Sequence, residues 1–248
     1  YAQRGWIRAG REDFDGATAD YQAALAIRPG YAQAVMGISS VFMRKGEDAK
    51  AIETLENFFA ILESSGKKPA SVKGTATVST AVDVPEMSNG KTMVRQGTVI
   101  YKDDSDFNGP PTREQIDRMN DRMEQSKNTA TAYTTLAKLY DKRGDHELAL
   151  VTVEKGIVID PSDFYGYSTR GTIKTSLRNY PGAIADLSLA IKAMPADGIM
   201  YLDRGIAYLL SGKEAEAQKD FDQYLKMYPN GKANLDKRIE EARKMGHQ

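Results

Sequence analysis

The stretch YLDRGIAYLLSGKEAEAQKDFDQYLKMYP, Tyr201 to Pro229, decides the fold. Its apolar residues Tyr201, Ile206, Tyr208 and Leu209 recur at helical spacing. After a break at Gly212, Ala217, Phe221, Tyr224, Leu225 and Tyr228 do so again. Pro229 ends the second run, as a proline after a helix terminus does. The stretch reads as two helices and two turns.

The same unit lies upstream. Pro161, Pro195 and Pro229 stand 34 residues apart, and Tyr133, Tyr167 and Tyr201 keep that step. So do Ala137, Gly171 and Gly205, then Ala149, Ala183 and Ala217, then Val153, Leu187 and Phe221. A fixed period of this length is the mark of a stacked repeat. Small residues at 205 and 217 let two helices approach while larger neighbours interlock around them.

This order of aromatic, Gly or Ala, aromatic, Ala, bulky apolar residue and Pro resembles the tetratricopeptide repeat, with four slots agreeing in three consecutive units. The resemblance implies an all-α helix-turn-helix solenoid of about five repeats, in blocks of two and three. Residues 1–63 hold the first two: Gly5, Phe14, Ala17, Tyr21, Ala24 and Pro29 fall in register, followed by Phe42, Gly46, Ala51 and Leu55. Glu63 stands where a proline is expected, so the fourth helix is predicted to run on.

The register then breaks. Pro29 to Pro161 is 132 residues, four short of four periods, which places an insertion over 64–127. Two runs rich in Val and Thr flank Asn89-Gly90, a hairpin signal, so a β-hairpin is predicted over 74–84 and 92–102. A Ser/Thr-rich loop is the alternative. Thr112 is a candidate N-cap for a helix carrying Ile116, Met119 and Met123, predicted to cap the second repeat. Repeats three to five occupy 128–229. Residues 230–248 supply a C-terminal capping helix with Leu235, Ile239, Ala242 and Met245 on one stripe.

Composition narrows the function. The 248 residues carry 34 basic and 34 acidic side chains, two histidines and no cysteine. Zero net charge argues against a nucleic-acid partner held through phosphates. Without cysteine there is no disulfide framework and no thiol nucleophile. No run of 18 apolar residues crosses a membrane. The start on a repeat's aromatic slot and a calcium-like loop favour an extracytoplasmic location, and no residue fixes the compartment.

Motifs for chemistry are scarce. His146 opens HELAL, but Leu150 stands where a zinc-protease helix needs its second histidine. His146 also occupies the aromatic slot of its repeat, as Phe14 and Tyr180 do. No nucleophile elbow, P-loop or dinucleotide fingerprint is present, so the chain is expected not to be an enzyme and to need no cofactor. One stretch, Asp104 to Gln115, resembles an EF-hand loop. Asp104, Asp106, Asn108 and Thr112 are its candidate calcium ligands, and Gly109 makes the turn. Gln115 replaces the closing bidentate Glu, which would limit affinity to roughly 0.1–1 mM. An Asp/Asn/Gly/Pro turn that initiates the helix is the alternative.

The family resemblance also implies a binding surface, because first helices of successive repeats line a concave groove. On that pattern the partner-binding candidates are Trp6 from the first repeat, with packing on a preceding repeat as its alternative, and Met36, Ser40, Met43 and Arg44 from the second. The third offers Thr131, Thr134, Thr135, Lys138 and Asp141, and the fourth Tyr165, Ser168, Thr169, Thr172, Thr175 and Ser176. The fifth offers Ile199, Leu202, Asp203, Ile206 and Leu209, with burial of part of this face under the C-terminal cap helix as the alternative. Chaperone-binding members grip a C-terminal carboxylate with basic and amide side chains. The matching positions here are Thr134, Lys138, Thr169, Ile199 and Asp203, of which only Lys138 is basic, so that clamp is not expected. The implied function is a scaffold holding a peptide or partner subunit, with a homo-oligomer compatible with the same surface. The alternative is a module whose insertion, weakly tuned by calcium, makes the specific contact.

Overall fold

The structure, a computed structural model, describes residues 1–64 and 113–246. Among them the chain forms eleven helices and no strand. The first repeat is α1 (Ala2–Gly10) with α2 (Phe14–Ile27), and the second is α3 (Ala32–Arg44) with α4 (Asp48–Ser64). The third pairs α5 (Arg113–Arg143) with α6 (His146–Ile159). The fourth pairs α7 (Phe164–Ser176) with α8 (Tyr180–Ala193), and the fifth α9 (Gly198–Leu210) with α10 (Glu214–Met227). Last comes α11 (Lys232–Gly246). The predicted hairpin and the calcium-like loop at Asp104, Asp106, Asn108 and Thr112 lie outside the described residues.

Local chemistry explains the helix limits. Asp13, Asn179 and Asp197 cap α2, α8 and α9, accepting from the N–H of Gly16, Gly182 and Ile199 at 3.0, 3.1 and 3.1 Å. The turn inside each repeat needs one residue in the left-handed region. Gly46, Gly144 and Gly212 fill that slot, while Glu12 and Arg178 adopt it in the other two repeats at φ of 63° and 59°. Those five positions keep the repeat's register.

Helix pairs close on small residues. A Cβ on Gly205 would lie 2.5 Å from the Phe221 ring, and one on Gly37 2.3 Å from the Tyr21 ring. Ala17, Ala51, Ala149, Ala183 and Ala217, the alanine slot of the five units, are all buried. The packing thus follows the ruler that the sequence carries. The fourth helix does run on past Glu63, to Ser64, the last described residue of this block.

One boundary differs from the prediction. The expected capping helix and the first helix of the third repeat are a single helix, α5, with no break at 127–128. No proline or glycine interrupts residues 113–143, so nothing stops the helical hydrogen bonding between them. Its extension crosses the turn between the first two repeats. There Gln125 Nε2 donates to the Gly30 carbonyl at 3.1 Å, and Arg28 donates to Gln125 Oε1.

The two repeat blocks form one solenoid. Phe59 of α4 stacks on Tyr133 of α5 with centroids 3.8 Å apart and planes at 14°. Tyr140 Oη donates to Glu56 at 2.6 Å, and Lys142 pairs with Asp48. A single buried cluster runs from Ala32 and Val35 through Phe58, Leu136 and Val153 to Met200. The helix-to-helix stacking therefore continues across the insertion.

A candidate partner-binding groove

The first helices of the repeats, α1, α3, α5, α7 and α9, lie side by side, each packed on the next. Where α1, α3 and α5 meet they enclose an open cleft of about 570 Å3. Trp6, Met36, Ser40, Arg44 and Asn128 line it, with Ile7 and Gly37 completing the walls. Trp6 is 74% exposed and Met43 stands exposed beside the cleft on α3. A large aromatic and several aliphatic side chains around a concavity are the usual make-up of an anchor site.

Arg44 is placed rather than loose. Its Nη1 donates to the Ala9 carbonyl at 2.6 Å, covering the C-terminal end of α1, and its Nη2 lies 3.4 Å from Glu12. The guanidinium carbon sits 4.8 Å above the Phe14 ring. A cation is thereby fixed at the rim of an apolar cleft.

Further along the surface, Lys138 and Tyr165 are exposed, and Ser168 and Thr172 are half-buried. The hydroxyl face predicted for α7 is mostly turned inward on its own backbone: Thr169 and Thr172 donate to the carbonyls of Tyr165 and Ser168 at 2.8 and 3.2 Å. Thr169 is buried, and so is Thr134, whose Oγ1 donates to Asp163 at 3.1 Å. Gly156 of α6 and Gly166 of α7 both face Thr134: a Cβ at either would lie 3.6 or 3.5 Å from its hydroxyl. Thr134 and Thr169 therefore belong to the interior and not to the groove lining.

In the fifth repeat the cap helix covers part of the face assigned to the groove. Leu202 is 0% exposed and Ile206 is buried, both under α11, whose Leu235, Ile239 and Ala242 join their cluster. Arg238 of α11 donates to Asp203 at 2.8 Å. Burial pushes the Asp203 carboxyl above its ordinary value, opposed by the charges of Arg238 and Lys138. Of the apolar side chains assigned to this part of the groove, Ile199 alone stays exposed. The charged helix covers Leu202 and Ile206 with a three-residue stripe and one ion pair, and it leaves Ile199 exposed and Leu209 half-buried.

Asn128 is the cleft residue the sequence concealed. It sits where α5 passes from the insertion into the third repeat, and only the fusion of those segments brings it opposite Trp6 and Met36. His146 opens α6 and shares a hydrogen bond with Asp141 at 2.7 Å, a local turn contact. Among the described residues no group of three His, Asp or Glu side chains converges as a metal site, and no helix is long and apolar enough to cross a membrane.

The comparisons agree with this architecture. A tetratricopeptide repeat family model matches residues 3–57 and 169–232, and a second such model matches 130–163. None of the curated proteins matches the chain in sequence. Among solved structures, MamA is similar at 17% identity and a TM-score of 0.54, covering 92% of this chain and 96% of its own. TTC0263 of Thermus thermophilus is similar at 15% identity and a TM-score of 0.53, covering 97% and 95%. YrrB, described as a protein of this repeat class with an unusual peptide-binding site, follows at 13% identity and 0.51, covering 98% and 90%. Proteins of this kind are interaction scaffolds, and no catalytic family matches. The chain belongs to the tetratricopeptide repeat family.

Proposed function

We propose that the chain is a non-enzymatic scaffold that holds a peptide or protein partner on the N-terminal half of its concave face, with Trp6 as the anchor. The observation that carries this reading is the open cleft between α1, α3 and α5, with an indole 74% exposed at its edge. Large apolar side chains of this kind concentrate binding energy when a partner desolvates them. YrrB, similar in fold, is described as having a peptide-binding site, which supports the same use of the scaffold. The partner's complementary chemistry is a bulky apolar side chain for the cleft and a carboxylate within reach of Arg44.

Affinity capture from the source cell tests the reading, using wild type beside Trp6→Ala and Arg44→Glu. A partner retained by wild type and lost from both variants, with their helical signal unchanged, is the expected result. Equal retention by all three would move the binding site away from this cleft.

A further inference from the structure

The last helix does not continue the repeat. Each first helix from α3 to α9 packs closely on both helices of the unit before it, whereas α11 packs mainly on α9 and shares a buried cluster with Phe221 and Tyr224 of α10. Its tie to α10 is at its start, where Asn234 Nδ2 donates to Tyr224 Oη at 3.0 Å. It therefore lies alongside α9, and its Arg238 reaches Asp203, a residue that the repeat pattern assigns to the groove. It is joined to α10 through Pro229, Asn230 and Gly231, of which the first two are exposed.

The docking is specific but thin. Leu235 and Ala242 are buried and Ile239 is partly buried, while most of the remaining side chains of α11 are charged and exposed. By contrast α9 buries Met200, Leu202, Ile206 and Ala207. The one strong polar contact is Arg238 with Asp203, whose side chain is 12% exposed. Removing α11 would uncover a contiguous surface of Leu202, Ile206 and Leu209 with a carboxylate in it. That surface is the fifth repeat's share of the groove which the repeat pattern assigns to binding.

We propose that α11 is a displaceable internal occupant of the C-terminal end of the groove, held by Leu235, Arg238, Ile239 and Ala242. The partner segment that this end accepts is an amphipathic helix with a basic residue beside its apolar stripe, and it gains the surface by displacing α11. The inference rests on the concave face being the binding surface. It adds a closed state, in which only the N-terminal cleft is open, and an open state that exposes the whole face.

The test uses the full chain and a fluorescent synthetic peptide of residues 232–246. Arg238→Glu places a carboxylate against Asp203 and favours the open state, so peptide binding followed by anisotropy should tighten about tenfold or more over wild type. The chain has no cysteine, so Asp203→Cys with Arg238→Cys gives a unique pair for a short bis-maleimide linker. Linked protein should lose peptide binding relative to the same variant capped singly. Equal binding by wild type and Arg238→Glu, or binding that survives the linker, would overturn the proposal. Hydrogen exchange on unmodified protein gives a second measure: amides of 232–246 should exchange faster than those of α9 and α10. Protection of α11 equal to that of α9 would also overturn it. Neither experiment involves the natural partner, so their failure leaves the Trp6 cleft standing, and failed capture leaves α11 untouched.

Discussion

Arg204 and Asp220 are joined across the helix pair of the fifth repeat by two parallel hydrogen bonds, Nε and Nη2 each 2.8 Å from a carboxylate oxygen. The same step of sixteen residues joins Arg170 to Asp186 and Arg4 to Asp20. In the second and third repeats the two positions change together, to Ile38 with Thr54 and Leu136 with Thr152. Both threonines return their hydroxyls to their own helix, donating to Lys50 and Leu148 carbonyls at 2.7 Å. The pair is exchanged as a unit, ionic or not. No repeat keeps one charge alone.

That pattern predicts a sharp asymmetry. Arg204→Ala leaves Asp220 buried without its partner and should cost about 3–5 kcal/mol. Arg204→Ile with Asp220→Thr, copying the second repeat, should return to within about 1 kcal/mol of wild type, since a buried ion pair replaced by apolar groups is often neutral. Urea denaturation of both variants decides it. A double variant as unstable as the single one would mean that the pair is not exchangeable.

The joint across the insertion is a second target. Phe59 stacked on Tyr133 links two blocks that otherwise each carry their own repeats. In a solenoid, stability is a sum of repeat and neighbour contributions. Phe59→Ala should therefore cost about 3–5 kcal/mol at this one interface and uncouple the blocks. Trp6 is the only tryptophan and reports the N-terminal block. In wild type, its fluorescence and the far-ultraviolet dichroism should give coincident urea transitions. In Phe59→Ala the Trp6 transition should come first.

Most of the scaffold is legible in the sequence because its determinants are local and periodic. Gly205, Ala217 and Pro229 each state a packing or stopping requirement within one 34-residue unit. The Arg–Asp step is equally periodic and lies in plain view, but three instances in five repeats are easily hidden among exposed charges. Two features cannot be read from spacing. Continuity of α5 depends on the absence of a stop between 113 and 143, while the repeat register suggests a fresh start near 129. The face covered by α11 depends on where a three-residue stripe lands, and a stripe specifies amphipathicity without naming its partner. Leu202 and Ile206 therefore read as groove residues in the sequence, although they lie beneath that helix.

The turn slot separates backbone from packing. Gly212 has φ of +77° and open space around its missing Cβ. Gly212→Ala should cost about 1–2 kcal/mol from the left-handed conformation alone. Gly205 has ordinary helical backbone, yet a Cβ there would meet Phe221 at 2.5 Å. Gly205→Ala should cost about 1–3 kcal/mol by overpacking. Phe221→Leu should relieve part of the second loss and none of the first. Thermal melts of the single variants, and of each glycine variant combined with Phe221→Leu, will show it.

Acid should loosen the first repeat through Asp20. The Arg4 hydrogen bonds hold the Asp20 carboxyl below its ordinary value, and the charges of Arg4 and Arg8 add to this against the opposing effect of burial. A carboxylate whose folded value lies below its unfolded one stabilises the fold above the unfolded value of about 3.9. That contribution is lost as pH falls from there through the lower folded value, because the unfolded chain takes up the proton first. Lowering the pH below about 4 should therefore shift the urea midpoint reported by Trp6 fluorescence downward. Asp20→Asn removes the titrating group, so its midpoint should be lower at neutral pH and flatter through the acid range. A variant that keeps the wild-type acid slope would place the responsible carboxylate elsewhere in the solenoid.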